Sequence, residues 1–349
     1  MTEKIKGSGP STGDRKSEHV RLCLEEEVAG VGVTTGFERY TFRHNALPEL
    51  DFENIDLTTR FLGKRLKAPL LISSMTGGSV GTGRINERLA EAAQARGWAM
   101  GLGSIRAAVE REELAATFKV RHKAPDIPII ANLGAVQLNY GFGEDECRRA
   151  VEIAEADGLV LHLNSLQEIF QPEGNTNFSG LLPKIERLCQ TLGVPVGVKE
   201  VGWGIDGETA VLLAEAGVAF IDAAGAGGTS WSQVEKFRSS DSMRRTAAEA
   251  FAGWGTGTAE CLAEIREHLP QIPLIGSGGL RNGVDAAKAI ALGANLAGFG
   301  RALLGPAVDS ADSAAKAMEQ AEFELRTVMF GVGAGSVSAL RTTSRLRRI

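Results

Sequence analysis

The segment G-L-V-L-H-L-N-S-L-Q-E, residues 158–168, decides how this chain folds. Its first half, Gly158 to Leu161, is the unbroken apolar run of a strand buried on both faces. Its second half gathers His162, Asn164, Gln167 and Glu168 at the carboxyl end of that strand. A buried strand tolerates such a cluster only where something polar docks, because an unpartnered buried polar group is costly. In a barrel of parallel strands, that end is where ligands bind.

Outward from this segment, short apolar runs recur at 69–74, 98–102, 128–133, 195–199, 218–223, 272–277 and 296–300. Amphipathic helical patterns separate them at 85–96, 144–155, 181–191, 209–216, 259–268 and 283–292. Strand–helix alternation predicts an α/β fold with a parallel sheet, and eight units favour a single closed (β/α)8 TIM barrel over an open sheet. Residues 15–27 predict a helix, 30–53 an irregular amino-terminal cap, and 313–330 a last carboxy-terminal helix. Residues 1–14 are expected to be a flexible polar lead-in to one barrel domain spanning 15–349. The spacing breaks between the sixth and seventh strands, where the polar, Gly-rich segment 229–257 carries Trp231 and Trp254. A long loop on the functional face reads as a lid or as a surface insertion. The basic end, Arg341 to Arg348, reads as solvated or subunit-contacting chain.

Of the 349 residues, 43% are hydrophobic and 43 are glycine, which suits an enzyme with many tight strand-to-helix turns. A net charge of −5 argues against a general nucleic-acid binder. No apolar run reaches membrane-spanning length, and the polar start lacks a signal-peptide core. Cys23, Cys147, Cys189 and Cys261 are far apart, which predicts reduced thiols and a cytoplasmic protein.

Two glycine turns, 276–281 (G-S-G-G-L-R) and 300–304 (G-R-A-L-L), follow the seventh and eighth strands. Those loops are the common phosphate site of this barrel, and glycines let backbone N–H groups approach an anion. Lys199 ends the fifth strand, where an ammonium could stabilise a negatively charged ring system or pair with a barrel carboxylate. Segment 73–78 (S-S-M-T-G-G), Asn132 and Thr229 offer short polar groups for a flat heterocycle and its phosphate chain. No G-x-G-x-x-G follows a strand in the dinucleotide manner, so the set describes FMN better. Ser104 and Arg106 follow the second strand, and Arg15-Lys16 sits in the amino-terminal arm. These cations could hold a diphosphate, although Arg15-Lys16 could equally open a solvated helix. Glu168 is the carboxylate of the strand-four cluster and suits Mg²⁺, which takes one or two carboxylates plus phosphate oxygens. His162 could serve as general acid or base, or as a hydrogen-bonded barrel histidine. The other histidines show no metal-ligand spacing.

In order, the chain carries R-K-S-E-H (15–19), S-M-T-G-G (74–78), G-S-I-R (103–106), N-L-G (132–134), H-L-N-S-L-Q-E (162–168), V-K-E-V-G-W-G (198–204), A-G-A-G-G-T-S-W (224–231) and G-S-G-G-L-R (276–281). This ordered set resembles the type 2, FMN-dependent isopentenyl diphosphate isomerase family. The likeness spans 15 to about 330 and includes H-N-A-L-P-E-L (44–50), which carries no chemistry. Ser165 and the segment 254–258 depart from the family pattern.

The resemblance implies interconversion of isopentenyl and dimethylallyl diphosphate by allylic proton transfer, with reduced FMN as acid and base. It also implies Mg²⁺ on the diphosphate, NADPH as reductant, and a homotetramer or homo-octamer. By motif, Met75, Thr76, Gly77, Ser104, Asn132, Lys199, Thr229, Gly278, Gly279, Ala302 and Leu303 would line FMN. Arg15, Lys16, Ser104, Arg106 and Gln167 would hold substrate, and Glu168 the metal. Gln167, His162, Asn164 and Lys199 would carry the chemistry, with Gln167 relaying a proton. An FMN-linked 2-hydroxy-acid oxidase, an inosine-monophosphate-type dehydrogenase and a non-catalytic flavin protein are the competing readings. The first needs a His–Arg pair near strand seven and the second a Cys after strand six, and neither is present.

Overall fold

Eight short parallel strands close into a barrel in chain order: Leu70–Ile72, Ala99–Gly101, Ile129–Gly134, Gly158–His162, Val196–Lys199, Phe220–Asp222, Leu274–Ser277 and Leu296–Phe299. The computed structural model describes residues 12–349, with side chains from Arg15 onward. The lead-in expected at 1–14 lies outside the described residues up to position 11, and the first helix, Thr12–Glu25, already begins at Thr12. Each predicted strand is present, most trimmed by a residue or two, while the third runs one residue further to Gly134.

The strands are buried on both faces because helices cover the outside and side chains fill the inside. Leu71, Ala99, Ile130, Val160, Phe220, Ile275 and Leu296 form one inner cluster with Phe61 and Leu66. The last two come from a hairpin, Thr59–Phe61 with Lys64–Leu66, that caps the amino-terminal end of the barrel. Phe61 meets Phe220 edge-on at 5.4 Å. Gly197 makes room for this plug, since a Cβ there would lie 2.2 Å from the Phe220 ring. The barrel is therefore packed at one end, and only the carboxyl end is open to ligands.

Three differences from the sequence-based expectation matter for the site. Segment 229–257 is not an irregular loop: it holds the helices Trp231–Arg238 and Ser242–Ala250. Short helices at Arg106–Glu110 and Ser165–Phe170 also follow the second and fourth strands directly. The basic end is not free chain either, because Leu346–Arg348 pairs antiparallel with Tyr40–Phe42 of the amino-terminal cap. Among the described residues no helix is long and apolar enough to cross a membrane.

Candidate active site at the barrel mouth

Two adjoining cavities open at the carboxyl ends of the strands, one of about 530 Å³ and one of about 130 Å³. Lys16, His19, Ser74, Met75, Lys199, Val201 and Trp231 stand in both walls. The larger is lined by the first-strand turn, the glycine turns after strands six and seven, and the start of the helix Arg301–Asp309. Gly228 and Gly279 lie back to back, and a Cβ on Gly228 would sit 2.6 Å from the Gly279 nitrogen. Gly278 and Gly279 also have φ of 107° and 75°, a backbone that side chains disfavour. Two buried hydroxyls on this wall, Ser73 and Thr76, lack any hydrogen-bond partner. Buried polar atoms are nearly always satisfied, so a ligand bearing polar atoms belongs here.

Lys199 forms the shared wall. It is buried, with Nζ donating to the Glu200 carbonyl at 2.5 Å. The Glu200 carboxylate in turn accepts the backbone N–H groups of Val201, Gly202 and Trp203 at 2.6, 2.8 and 2.6 Å. That ring of donors shapes the turn after strand five. Asp222 is the neighbour of Lys199 on strand six, and Ser277 donates to it at 2.6 Å. Burial raises the Asp222 pKa against the opposing effect of Lys199.

The smaller cavity holds the strand-four cluster. His162 Nδ1 lies 2.7 Å from Asn132 Oδ1, so the amide oxygen accepts the ring N–H. Burial, reinforced by Lys199, Lys16 and Arg15, pushes His162 down to about 3 and leaves it neutral. Asn164 donates to Glu168 at 2.9 Å and to Gln167 at 3.2 Å, while its own Oδ1 is buried without a partner. Gln167 donates to Glu235 at 3.2 Å, and His19 Nε2 reaches the same carboxylate oxygen at 3.1 Å. Arg238 closes on the other oxygen at 2.5 Å. Burial alone would raise the Glu235 pKa, but His19, Arg238 and Gln167 together bring it down to about 2.

Cations face this cavity from two sides. Arg15 and Lys16 come from the amino-terminal helix, and Arg106 from the short helix after strand two. The Arg15 Nε is buried without a partner. Burial and the adjacent Arg15 lower Lys16 to about 8, with Glu235 opposing. No group of three or more His, Cys, Asp or Glu side chains suited to a metal occurs among the described residues. Glu168 is the one carboxylate among the described residues that line this cavity.

The structure brings Arg15, Lys16, Ser104, Arg106, Asn132, His162, Asn164, Gln167, Glu168 and Lys199 to the smaller cavity. Met75, Thr76, Thr229, Gly278, Gly279 and Ala302 line the larger. Gly77 and Leu303 reach neither wall. Gly77 backs onto Phe118, and Leu303 turns into the core while Leu304 takes the wall position. His19 and Glu235 were missed. His19 stands inside R-K-S-E-H, but its partner lies 216 residues away in the insertion, so no local pattern marks the pair.

Known proteins now fit this geometry. The profile of the FMN-dependent dehydrogenase family matches residues 14–136 and 145–347. An isopentenyl-diphosphate delta-isomerase of Oceanobacillus iheyensis is 54% identical over 332 residues, 95% of each chain. One from a Nostoc species is 52% identical over 349 residues, the whole of both. Among solved structures, a Pediococcus acidilactici lactate oxidase superposes with a TM-score of 0.68 at 18% identity, covering 95% of this chain and 94% of its own. A flavocytochrome b2 gives 0.68 at 18% identity, over 94% and 82%. Likeness at that identity speaks for the barrel alone, whereas the isomerases are about half identical over nearly the whole chain. The chain belongs to the FMN-dependent dehydrogenase family and, within it, to the isopentenyl-diphosphate delta-isomerases.

Proposed function

We propose that the protein interconverts isopentenyl and dimethylallyl diphosphate by moving a proton across the allylic unit, with FMN in the larger cavity and substrate in the smaller. One observation carries this reading. The glycine cradle with its two orphaned hydroxyls opens, across Lys199 and Met75, onto a pocket that combines three cations with the single carboxylate Glu168. An anionic cofactor on one side and a metal-bound diphosphate on the other satisfy both halves.

When bound and reduced, FMN supplies the proton donor and acceptor, and NADPH serves as its reductant. The chain's own residues position and neutralise. Gly278, Gly279, Ala302 and the start of the helix Arg301–Asp309 would hold the phosphate, while Met75, Thr76, Ser104, Asn132 and Thr229 line the rest. Gly77 and Leu303, off the wall, would contribute backbone or packing behind it. Lys199, in the wall shared by both cavities, would balance negative charge on the bound ring. Arg15, Lys16 and Arg106 would grip the diphosphate, and Glu168 would share Mg²⁺ with it.

His162 is neutral at physiological pH, so it donates or accepts a hydrogen bond and does not act as an imidazolium acid. Asn164 and Gln167 orient the alkene end; Gln167 is held by the ionised Glu235, which fixes the direction of its amide for any proton relay. A cytoplasmic homotetramer or homo-octamer completes the proposal.

An anaerobic assay with FMN, Mg²⁺ and isopentenyl diphosphate tests it. The expected product is dimethylallyl diphosphate, formed only when the flavin is reduced and without stoichiometric NADPH use. Normal FMN binding without product would point to an oxidoreductase or a binding protein.

A further inference from the structure

Segment 171–177, Q-P-E-G-N-T-N, follows the short helix Ser165–Phe170 and wraps back over Glu168. Gly174 makes the return possible, because a Cβ there would fall 1.7 Å from the Glu168 carbonyl oxygen. The next residue, Asn175, then makes three hydrogen bonds, reaching Glu168 through its backbone and the far side through its amide. Its backbone N–H donates to Glu168 Oε2 at 2.5 Å. Its side-chain oxygen accepts from Arg106 Nη1 at 3.2 Å and from Gln137 Nε2 at 3.1 Å. Gln137 is itself buried in the small-cavity wall, and its Oε1 has no partner.

We propose that Asn175 is a positioning residue that locks Glu168 and Arg106 into one geometry, so that a metal ion and the diphosphate it carries meet both at once. This inference rests on the reading of the smaller cavity as the metal–diphosphate site. The choice of an amide has a physical reason. Arg106 already pairs through Nε with Glu110 at 2.7 Å, and a neutral oxygen on Nη1 adds no second carboxylate, so the guanidinium keeps charge and N–H groups for phosphate. A carboxylate at the same place would pair with Arg106 and would also repel the neighbouring Glu168. Gln137 adds a second donor, so the amide oxygen is held from two sides and cannot rotate towards solvent. Its own Oε1, buried without a partner in the cavity wall, could accept from a donor atom of a bound ligand.

The contact on Glu168 uses the backbone and the contact on Arg106 uses the side chain, so substitutions separate them. In Asn175→Ala the Arg106 arm is lost and the Glu168 arm kept. In Asn175→Asp a second carboxylate, besides Glu110, meets the Arg106 guanidinium. The wild-type protein loaded with FMN, both variants and Glu168→Gln would be titrated calorimetrically with inorganic diphosphate at fixed Mg²⁺, and with Mg²⁺ at fixed diphosphate. Steady-state kcat and KM for isopentenyl diphosphate would be measured alongside, and the bound-flavin spectrum would report that each variant is folded.

The expected order of diphosphate affinity is wild type, then Asn175→Ala weaker by about tenfold, then Asn175→Asp weaker still, with KM following and kcat changing less. Wild-type affinity for diphosphate in a folded Asn175→Ala, or Asn175→Asp binding no worse than Asn175→Ala, overturns the proposal. Should Asn175→Ala lose its flavin spectrum, Asn175→Asp is compared with wild type, and undiminished diphosphate affinity there overturns the proposal. If Glu168→Gln also leaves the Mg²⁺ titration unchanged, the reading of the cavity falls rather than the role of Asn175.

Discussion

Lys16 is the residue whose charge state the fold disturbs most usefully. Burial beside Arg15 brings it from 10.5 to about 8, so its ammonium is nearly complete a unit below that pH, halved at it and lost above it. A diphosphate held by Lys16 is therefore bound best below pH 8. KM for isopentenyl diphosphate should be flat from pH 6.5 to 7.5 and rise above pH 8, by up to about tenfold per unit. Lys16→Arg keeps its charge throughout that range and should abolish the rise, whatever its absolute KM. An unchanged rise in Lys16→Arg would remove Lys16 from the diphosphate site. His162 gives the complementary prediction. Held at about 3, it adds no limb to the kcat profile between pH 5.5 and 7.5. His162→Asn should lower kcat by roughly 10²-fold through lost positioning while leaving the shape of that profile intact. A limb present in wild type and missing in the variant would show that His162 titrates after all.

At the scale of elements, the amino-terminal helix and the helix Trp231–Arg238 are joined by charge. Arg238, with its side chain only 4% exposed, pairs with Glu235, with Glu18 of the amino-terminal helix and with Glu173 of the strand-four loop. Glu235 then carries His19 and Gln167. Arg238→Met leaves Glu235 buried with its guanidinium partner gone, a loss of about 3 kcal/mol by analogy with other broken buried pairs. Denaturant unfolding measures the loss, and hydrogen exchange in 12–25 should rise with it if the helix is pinned through Arg238. The same pair sets an acid limit. Glu235 sits at about 2 in the folded protein against 4.5 when unperturbed. Its stabilising contribution is present above pH 4.5 and is lost as pH falls towards 2.

These couplings also explain what the sequence could and could not convey. The strand-four segment announces its site because burial, register and chemistry all lie within eleven consecutive residues. Segment 229–257 hid its helices because its apolar positions, among them Trp231, Val234 and Ala248, are spread among polar residues that are themselves buried. Glu235, wholly enclosed, looks like a surface residue until Arg238 and His19 are seen beside it. Asn175 gave no signal either, since its contacts use a backbone N–H and an amide oxygen that any loop asparagine owns.

Across the whole molecule the two ends of the chain do different work. The amino-terminal helix brings Arg15 and Lys16 over the mouth, and the cap then runs down the barrel side, where Thr35 packs so tightly under Gly227 that a Cβ there would lie 2.0 Å from the Thr35 nitrogen. At its far end the cap is pinned by the carboxyl terminus. Tyr40–Phe42 pairs with Leu346–Arg348, Arg43 N–H donates to the Arg345 carbonyl at 2.8 Å, and Ile349 N–H donates to Arg39 at 2.8 Å. None of these residues lines either cavity. Deleting 345–349 removes that pairing from a surface where each hydrogen bond contributes only about 1 kcal/mol. The melting temperature should fall by a few degrees, as about 1–3 kcal/mol does in a domain of this size. FMN affinity and KM should stay at wild-type values, because the tight packing at Gly227 and the ionic ties at Arg238 hold the mouth independently of the pin. A melting loss accompanied by weaker FMN binding would mean that the tail strand sets the position of the cap all the way to Thr35, and that the basic end acts on the site through the cap.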